Sequence, residues 1–289
     1  MDIVDSHVHI FPPEVVRHRS EFLRRDQFFA ELYGNPRARI ADAETLIESM
    51  DESDVKWSVA VGFGWQAQDL CAWHNDYLVE SLRAYPDRLV ALACVQPTDS
   101  RAVGEIERRI GDGCAGVGEL MPHGQGYRLD DFETTGDIAE AVEAAGAILM
   151  THSSEPVGHF YKGKGSVHPQ QVAALASRYP KLKLIAAHWG GGLLFYELMP
   201  EVRAACANVY YDSAASSLLY EAALFRIAPR LAEPHRVLFA TDYPLLKQKR
   251  QIEKVIREDV DGEYLGQFMG GNAEALFASW RPGTHSGSE

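Results

Sequence analysis

The stretch Leu-Val-Ala-Leu-Ala-Cys-Val-Gln-Pro-Thr-Asp-Ser-Arg-Ala-Val-Gly-Glu-Ile-Glu-Arg-Arg-Ile-Gly-Asp-Gly-Cys-Ala-Gly-Val-Gly-Glu-Leu, residues 89–120, decides the fold. Leu89 to Val95 is an unbroken apolar run bounded by Pro97, which is how a strand covered on both faces reads. Val103, Ile106 and Ile110 then recur at the spacing of one helix face, and Gly111 closes that helix. Cys114 to Leu120 is a second short, largely apolar strand. Strand, helix and strand in this order are the unit from which parallel sheets are built.

The same unit repeats in both directions. Upstream, Ile3 to His9 opens the chain as a strand, and residues 11 to 40 form an irregular insertion carrying Phe22, Phe28, Phe29 and Tyr33. Asp42 N-caps a helix through Leu46, Ile47 and Met50, Trp57 to Gly62 is strand two, and Leu78, Leu82 and Tyr85 stripe a helix stopped by Pro86. Downstream, a helix with Ile138 and Val142 ends at Gly146, and Ala147 to Thr151 is strand five. A helix entered at Pro169 and stopped by Pro180 leads to strand six, Leu182 to Ala187. Helices over 193–206 and 218–231 flank strand seven, Asn208 to Asp212, and precede strand eight, Arg236 to Thr241. Helices over 248–259 and 272–278 close the chain. Eight strands alternating with helices predict an α/β fold, a (β/α)8 TIM barrel with an insertion after strand 1. No GxGxxG or GxxxxGK[ST] follows a strand, which argues against the doubly wound alternative. Residues 1-281 are expected to be a single barrel domain, and 282-289, polar and Gly/Ser-containing, a flexible C-terminal tail.

Composition narrows the function. The chain has 289 residues, 46% hydrophobic and 24% charged, with a formal charge of −13. That acidity argues for a small-molecule substrate and against nucleic acid or an anionic membrane as partner. Cys71, Cys94, Cys114 and Cys206 are far apart with no CxxC spacing and read as small buried hydrophobes. Neither a signal-peptide pattern nor an apolar run of spanning length is present, so a cytoplasmic setting is expected.

In such a barrel the C-terminal strand ends share one cavity. Those ends carry His7 and His9, Glu119, His152, His188 and Asp242. Each has an ordinary explanation alone: an exposed carboxylate at Glu119, a hydrogen-bonded core histidine at His152, a cap of the glycine turn at His188, an Asx turn at Asp242. Their agreement in one register makes a divalent-metal site the better reading, because neutral imidazole and carboxylate are the ligands such ions take. A metal held this way lowers the pKa of bound water to about 7. Asp242 is placed to move that water's proton and His188 to polarise a scissile carbonyl. Asp5 is either a support for His7 or a structural hydrogen bond at the strand base.

Asp-Ser-His-Val-His at 5–9, Ala-His-Trp-Gly-Gly-Gly at 187–192, Ala-Thr-Asp-Tyr-Pro at 240–244 and Gly-Asn-Ala-Glu-Ala-Leu-Phe at 271–277 together resemble the amidohydrolase superfamily, and within it the amidohydrolase-2 branch of metal-dependent hydrolases, lactonases and nonoxidative decarboxylases. The resemblance implies His7, His9 and Asp242 as ligands of a first metal. In the branch's decarboxylases a His matching His152 completes a one-metal site, with a His matching His188 as a catalytic group. Glu119 instead resembles the hydrolases in which a carboxylate on the fourth strand binds or bridges two metals and the two later histidines hold the second.

The expected activity is therefore a metal-dependent hydrolase acting on an ester, lactone or amide of a small, possibly carboxylated substrate. The alternative is a metal-dependent nonoxidative decarboxylase of a small aromatic or unsaturated carboxylic acid. One or two divalent ions are expected, zinc first, with manganese, iron, cobalt or nickel open. His123, His159, Tyr161 and Trp189 are candidate substrate-binding residues from the loops after strands four, five and six. Lys162 and Lys164 read as a solvated basic loop, Trp65 and the aromatic insertion after strand one as an apolar side of the pocket, and His18, His74, His235 and His285 as surface or helix histidines. The branch resemblance also implies a possible homodimer.

Overall fold

The computed structural model describes residues 1–280, so the expected tail at 282–289 lies outside the described residues. Eight parallel strands lie in sequence order: β1 (Ile3–His9), β2 (Val55–Val61), β3 (Leu89–Ala93), β4 (Gly116–Leu120), β5 (Ile148–Thr151), β6 (Lys183–Ala186), β7 (Val209–Asp212) and β8 (Val237–Leu238). Helices follow the strands, as in the (β/α)8 barrel expected from the alternating pattern. Alternation along each strand separates two cores. Val59, Val61, Val90, Leu92, Ile148, Met150 and Ile185 fill the barrel interior, with Phe277 from the last helix set edge-on against Trp57 at 6.0 Å. Ala60, Ala91, Leu149 and Leu184 face outward onto the helix ring, where Leu46, Leu78, Ile106, Val142 and Leu175 cover them.

β8 is shorter than the expected 236–241. After Leu238 the backbone leaves the β7 ladder, and its donors go elsewhere: Ala240 N to Ser213 Oγ at 2.9 Å, and Thr241 N to Asp5 Oδ1 at 2.9 Å. The barrel closes through single contacts with β1, namely Ser6 N to Phe239 O, Asp242 N to His7 O and His9 N to Tyr243 O. Asp5 is thus the structural hydrogen bond of the two readings open for it. It is buried and also accepts from Thr241 Oγ1 at 2.6 Å and Gln248 Nε2 at 2.9 Å.

The insertion after β1 is helical rather than irregular, with short helices Pro13–Arg17, Arg19–Arg25 and Gln27–Tyr33. Asp26 caps the third by accepting from Phe29 N at 2.8 Å. These turns are too short to be stable alone. A third apolar cluster holds them, in which Phe11, Phe22, Phe28 and Phe29 meet Phe63 and Trp65. The helix expected over 193–206 divides into Leu193–Tyr196 and Pro200–Ala205, since Pro200 has no N–H to continue the first. The one expected over 218–231 likewise divides into Ser216–Leu219 and Leu224–Leu231.

Candidate metal centre

Six side chains from five strand ends converge on one point. His7 and His9, two residues apart on β1, point to the same face, and their Nε2 atoms lie 3.2 Å apart. Two nitrogens held about 2.1 Å from one tetrahedral ion lie about 3.4 Å apart. Asp242 follows β8 in a left-handed conformation (φ +62°) that brings its Oδ1 to 3.4 Å from His9 Nε2. Glu119 at the end of β4 is the hub. Its Oε2 lies 3.5 Å from His7 Nε2 and 3.6 Å from His9 Nε2, and its Oε1 3.0 Å from His152 Nδ1 and 3.4 Å from His188 Nε2. The donors therefore fall into two groups, His7/His9/Asp242 and Glu119/His152/His188, each compact enough to hold an ion.

His188 reaches this point through an unusual turn. From His188 to Gly192 five consecutive residues have positive φ (56°, 60°, 63°, 58° and 93°), a left-handed coil that costs a non-glycine residue about 1–2 kcal/mol. Three of the five are glycine, and at Gly191 a Cβ would come within 2.4 Å of the Ser154 carbonyl oxygen. The coil sends His188 into the cluster and Trp189 the other way, into the core between the strands and the helix ring.

Buried hydrogen bonds select which ring nitrogen His7, His188 and His152 present. His7 Nδ1 faces Asp212 Oδ2 at 2.9 Å, and His188 Nδ1 faces the Ala214 carbonyl at 3.1 Å. His152 Nε2 faces Ser154 Oγ at 3.1 Å and the Lys164 carbonyl at 3.3 Å. The opposite nitrogens then turn lone pairs toward the centre. Electrostatics agree. Burial opposes a charge on His7 but is outweighed by the Asp212 and Glu119 carboxylates, which raise its pKa well above the usual value. At His188 burial is likewise outweighed, by Glu119 first, and the pKa is lifted to about 9. Burial raises Glu119, yet His7, His152 and His188 hold it well below the ordinary carboxylate range, and His9 and His7 lower Asp242 in the same way. A field that favours protons here favours a divalent cation in their place. The residues fit a metal ion.

A family model described as Amidohydrolase (Amidohydro_2) matches residues 4–278. The chain belongs to this amidohydrolase family. None of the curated protein sequences matches it. Among solved structures, the chain is similar to the 5-carboxyvanillate decarboxylase LigW from Sphingomonas paucimobilis, with TM-score 0.80 and 18% identity over 96% of this chain and 99% of that one. A 5-carboxyvanillate decarboxylase from Novosphingobium aromaticivorans, complexed with manganese and 4-hydroxy-3-methoxy-5-nitrobenzoic acid, gives 0.78 and 19% over 96% of each chain. The 2,6-dihydroxybenzoate decarboxylase from Rhizobium gives 0.75 and 18% over 96% and 99%. At these identities the likeness establishes the fold.

Above the cluster the barrel has a cavity of about 450 Å³. Of the loop residues expected to bind substrate, His159 and Tyr161 line it, as does Lys162. His123 does not. Its ring stands behind His152, 5.1 Å away and edge-on to Phe28, with both nitrogens buried and unpartnered. Trp189 is fully buried, donating its indole N–H to Ser216 Oγ at 2.7 Å, so it packs between strand and helix rather than walling the pocket. Trp65 is buried in the insertion's cluster, and Tyr33 and Phe63 form the apolar side expected of it. Lys164 turns its ammonium onto the Val157 and His159 carbonyls of its own loop. His74 is in a helix but wholly buried; its Nε2 donates to the Ile10 carbonyl at 2.7 Å, and its Nδ1 accepts from Trp65 Nε1 at 3.0 Å. His285 lies outside the described residues. Two residues bear on the site without having been singled out: Arg39 on the cavity wall and Asp212 beneath the cluster. Asp212 ends a strand like the others, and that position was its signal.

Proposed function

We propose that this single-domain barrel is a metal-dependent nonoxidative carboxy-lyase that removes the carboxyl group of a small aromatic or unsaturated carboxylic acid. The observation that carries this reading is the cavity: Tyr33, Phe63, Met121 and Leu218 make apolar walls above the donor cluster, and Arg39 and Lys162 add positive charge. Such a space suits a flat ring whose carboxylate points at the cluster. The decarboxylases of the same fold support it. His7, His9, His152 and Asp242 would hold the ion, and manganese stands ahead of zinc because a manganese complex is known for a neighbour.

When bound, the ion supplies a Lewis acid that neutralises and orients the substrate carboxylate. The protein's residues do the rest. Tyr33 and Phe63 exclude water and fix the ring plane. Loss of CO2 leaves the ring carbon one proton short, and His188 on the cavity floor, its pKa lifted to about 9, is placed to deliver it from Nε2. His159 and Tyr161 contact the far side of the substrate. The balance is a carboxylate and a proton in, the protonated ring carbon and CO2 out.

A second reading, the hydrolase acting on an ester, lactone or amide, is favoured by the division of the Glu119 carboxylate between the two donor groups, the arrangement a bridging ligand takes. Incubating the manganese-loaded protein with a panel of hydroxybenzoates and unsaturated acids, and separately with ester, lactone and amide panels, separates the two. CO2 release from the acids supports the first. Hydrolysis of the second panel without CO2 release replaces it. A cytoplasmic setting is supported by four free, buried cysteines, and among the described residues no helix is long and apolar enough to cross a membrane. Exposed Phe195, Leu198 and Met199 support pairing of two copies, which light scattering tests.

A further inference from the structure

We infer that Asp212 is a positioning residue for the metal centre, setting with one carboxylate the nitrogen that both His7 and His188 present. The inference rests on the metal-enzyme reading above. Asp212 ends β7 fully buried, and its two oxygens have separate tasks. Oδ2 faces His7 Nδ1 at 2.9 Å. Oδ1 accepts from His188 N at 2.9 Å and from Ala214 N at 3.0 Å. A carboxylate can only accept, so Nδ1 of His7 carries the proton and Nε2 is left with its lone pair toward His9 and Glu119.

The second task concerns His188, whose left-handed backbone (φ +56°, ψ 48°) is one that an L-residue seldom adopts without support. The bond from Oδ1 holds its amide. The bond to Ala214 N anchors the residue whose own carbonyl, in the following peptide, meets His188 Nδ1 at 3.1 Å, so the Nε2 of His188 is presented with help from the same anchor. One side chain on β7 thus ties the ligand strands β1 and β6. A purely structural acid would satisfy the His188 and Ala214 amides and have no bearing on His7.

Asp212→Asn separates the two tasks. Asn Oδ1 can still accept from His188 N and Ala214 N, whereas its amide nitrogen can only donate to His7 Nδ1, which drives the His7 proton to Nε2 and toward the cluster. The experiment measures manganese affinity by titration calorimetry, and melting temperature, for wild type, Asp212→Asn and His7→Ala. Expected are a near-native melting temperature for Asp212→Asn and manganese binding weakened about 10–100-fold. Affinity within about twofold of wild type, with His7→Ala strongly impaired, overturns the role of Asp212 and leaves the metal centre standing. Wild type that binds no manganese overturns the metal centre, and this inference with it. Should the Asn variant not fold, nitrogen NMR of zinc-loaded, 15N-histidine-labelled wild type decides: His7 protonated at Nδ1 and coordinated through Nε2 is expected, and coordination through Nδ1, or none, overturns the assignment.

Discussion

His188 and Trp189 are adjacent, buried and both left-handed, yet they serve different ends. The coil that turns one ring onto Glu119 turns the next onto Ser216. Substituting them should therefore separate activity from stability. His188→Asn is expected to keep the fold and the ion held by His7, His9, His152 and Asp242, while decarboxylation falls by about 10²–10⁴, the usual worth of a placed proton donor. Steady-state CO2 release beside elemental analysis of the same sample checks this. Loss of the ion together with activity would instead make His188 a ligand.

At the scale of the element, the link between the insertion and the barrel runs through the helix Gln68–Ala84. His74 on that helix is neutral and clamped between Ile10 O and Trp65 Nε1, one residue beyond His9. Burial, opposed only in part by the Ile10 bond, lowers its pKa from 6.5 to about 4. The unfolded chain therefore takes up this proton first. The His74 contribution is whole above pH 6.5 and is lost as pH falls from 6.5 toward 4, on the order of 3 kcal/mol in all. Denaturant unfolding at pH 7 and pH 5 should show a steeper loss for wild type than for His74→Gln, and equal slopes would refute the assignment. The elements also show what the sequence made legible. His7, His9, Glu119, His152, His188 and Asp242 could be found because the strand pattern assigns every strand end the same side of the barrel. Tyr33 was legible only as part of an aromatic insertion leaving a ligand strand, and Arg39 was not legible, since the insertion lies outside that repeat and its helices are placed by aromatic packing across the chain. Trp189 was misplaced because adjacency in sequence does not imply a shared wall: the left-handed coil that sends His188 to the cluster turns Trp189 onto Ser216. Strand eight was read too long because apolar residues continue to Ala240 after side chains have taken over the backbone's hydrogen bonds.

Across the whole molecule, the end of the barrel away from the cavity is secured by a different charged group. Arg236, just before β8, makes a two-bond pair with Glu197 at 2.8 and 2.6 Å, and Tyr211 OH donates to the same carboxylate at 2.6 Å. Both charged groups are buried. Arg236→Met would leave Glu197 without its counter-charge, and a loss of about 3–5 kcal/mol is expected, a fall in melting temperature on the order of 10 °C. Thermal unfolding followed by circular dichroism checks it, and an unchanged melting temperature would show the pair to be replaceable by apolar packing. At the opposite end, stability gives way to function, with four imidazoles and two carboxylates pointing at one another. Such a cluster makes physical sense around a cation. Metal content per chain is the measurement that tests this most directly, by elemental analysis of wild type and Glu119→Gln after loading with manganese and removal of excess ion. The carboxy-lyase account predicts about one ion per chain in both proteins, with Glu119 serving to hold the imidazoles. Two ions in wild type, falling on substitution, would contradict that account in favour of the two-metal hydrolase, and no retained ion would contradict the metal centre itself.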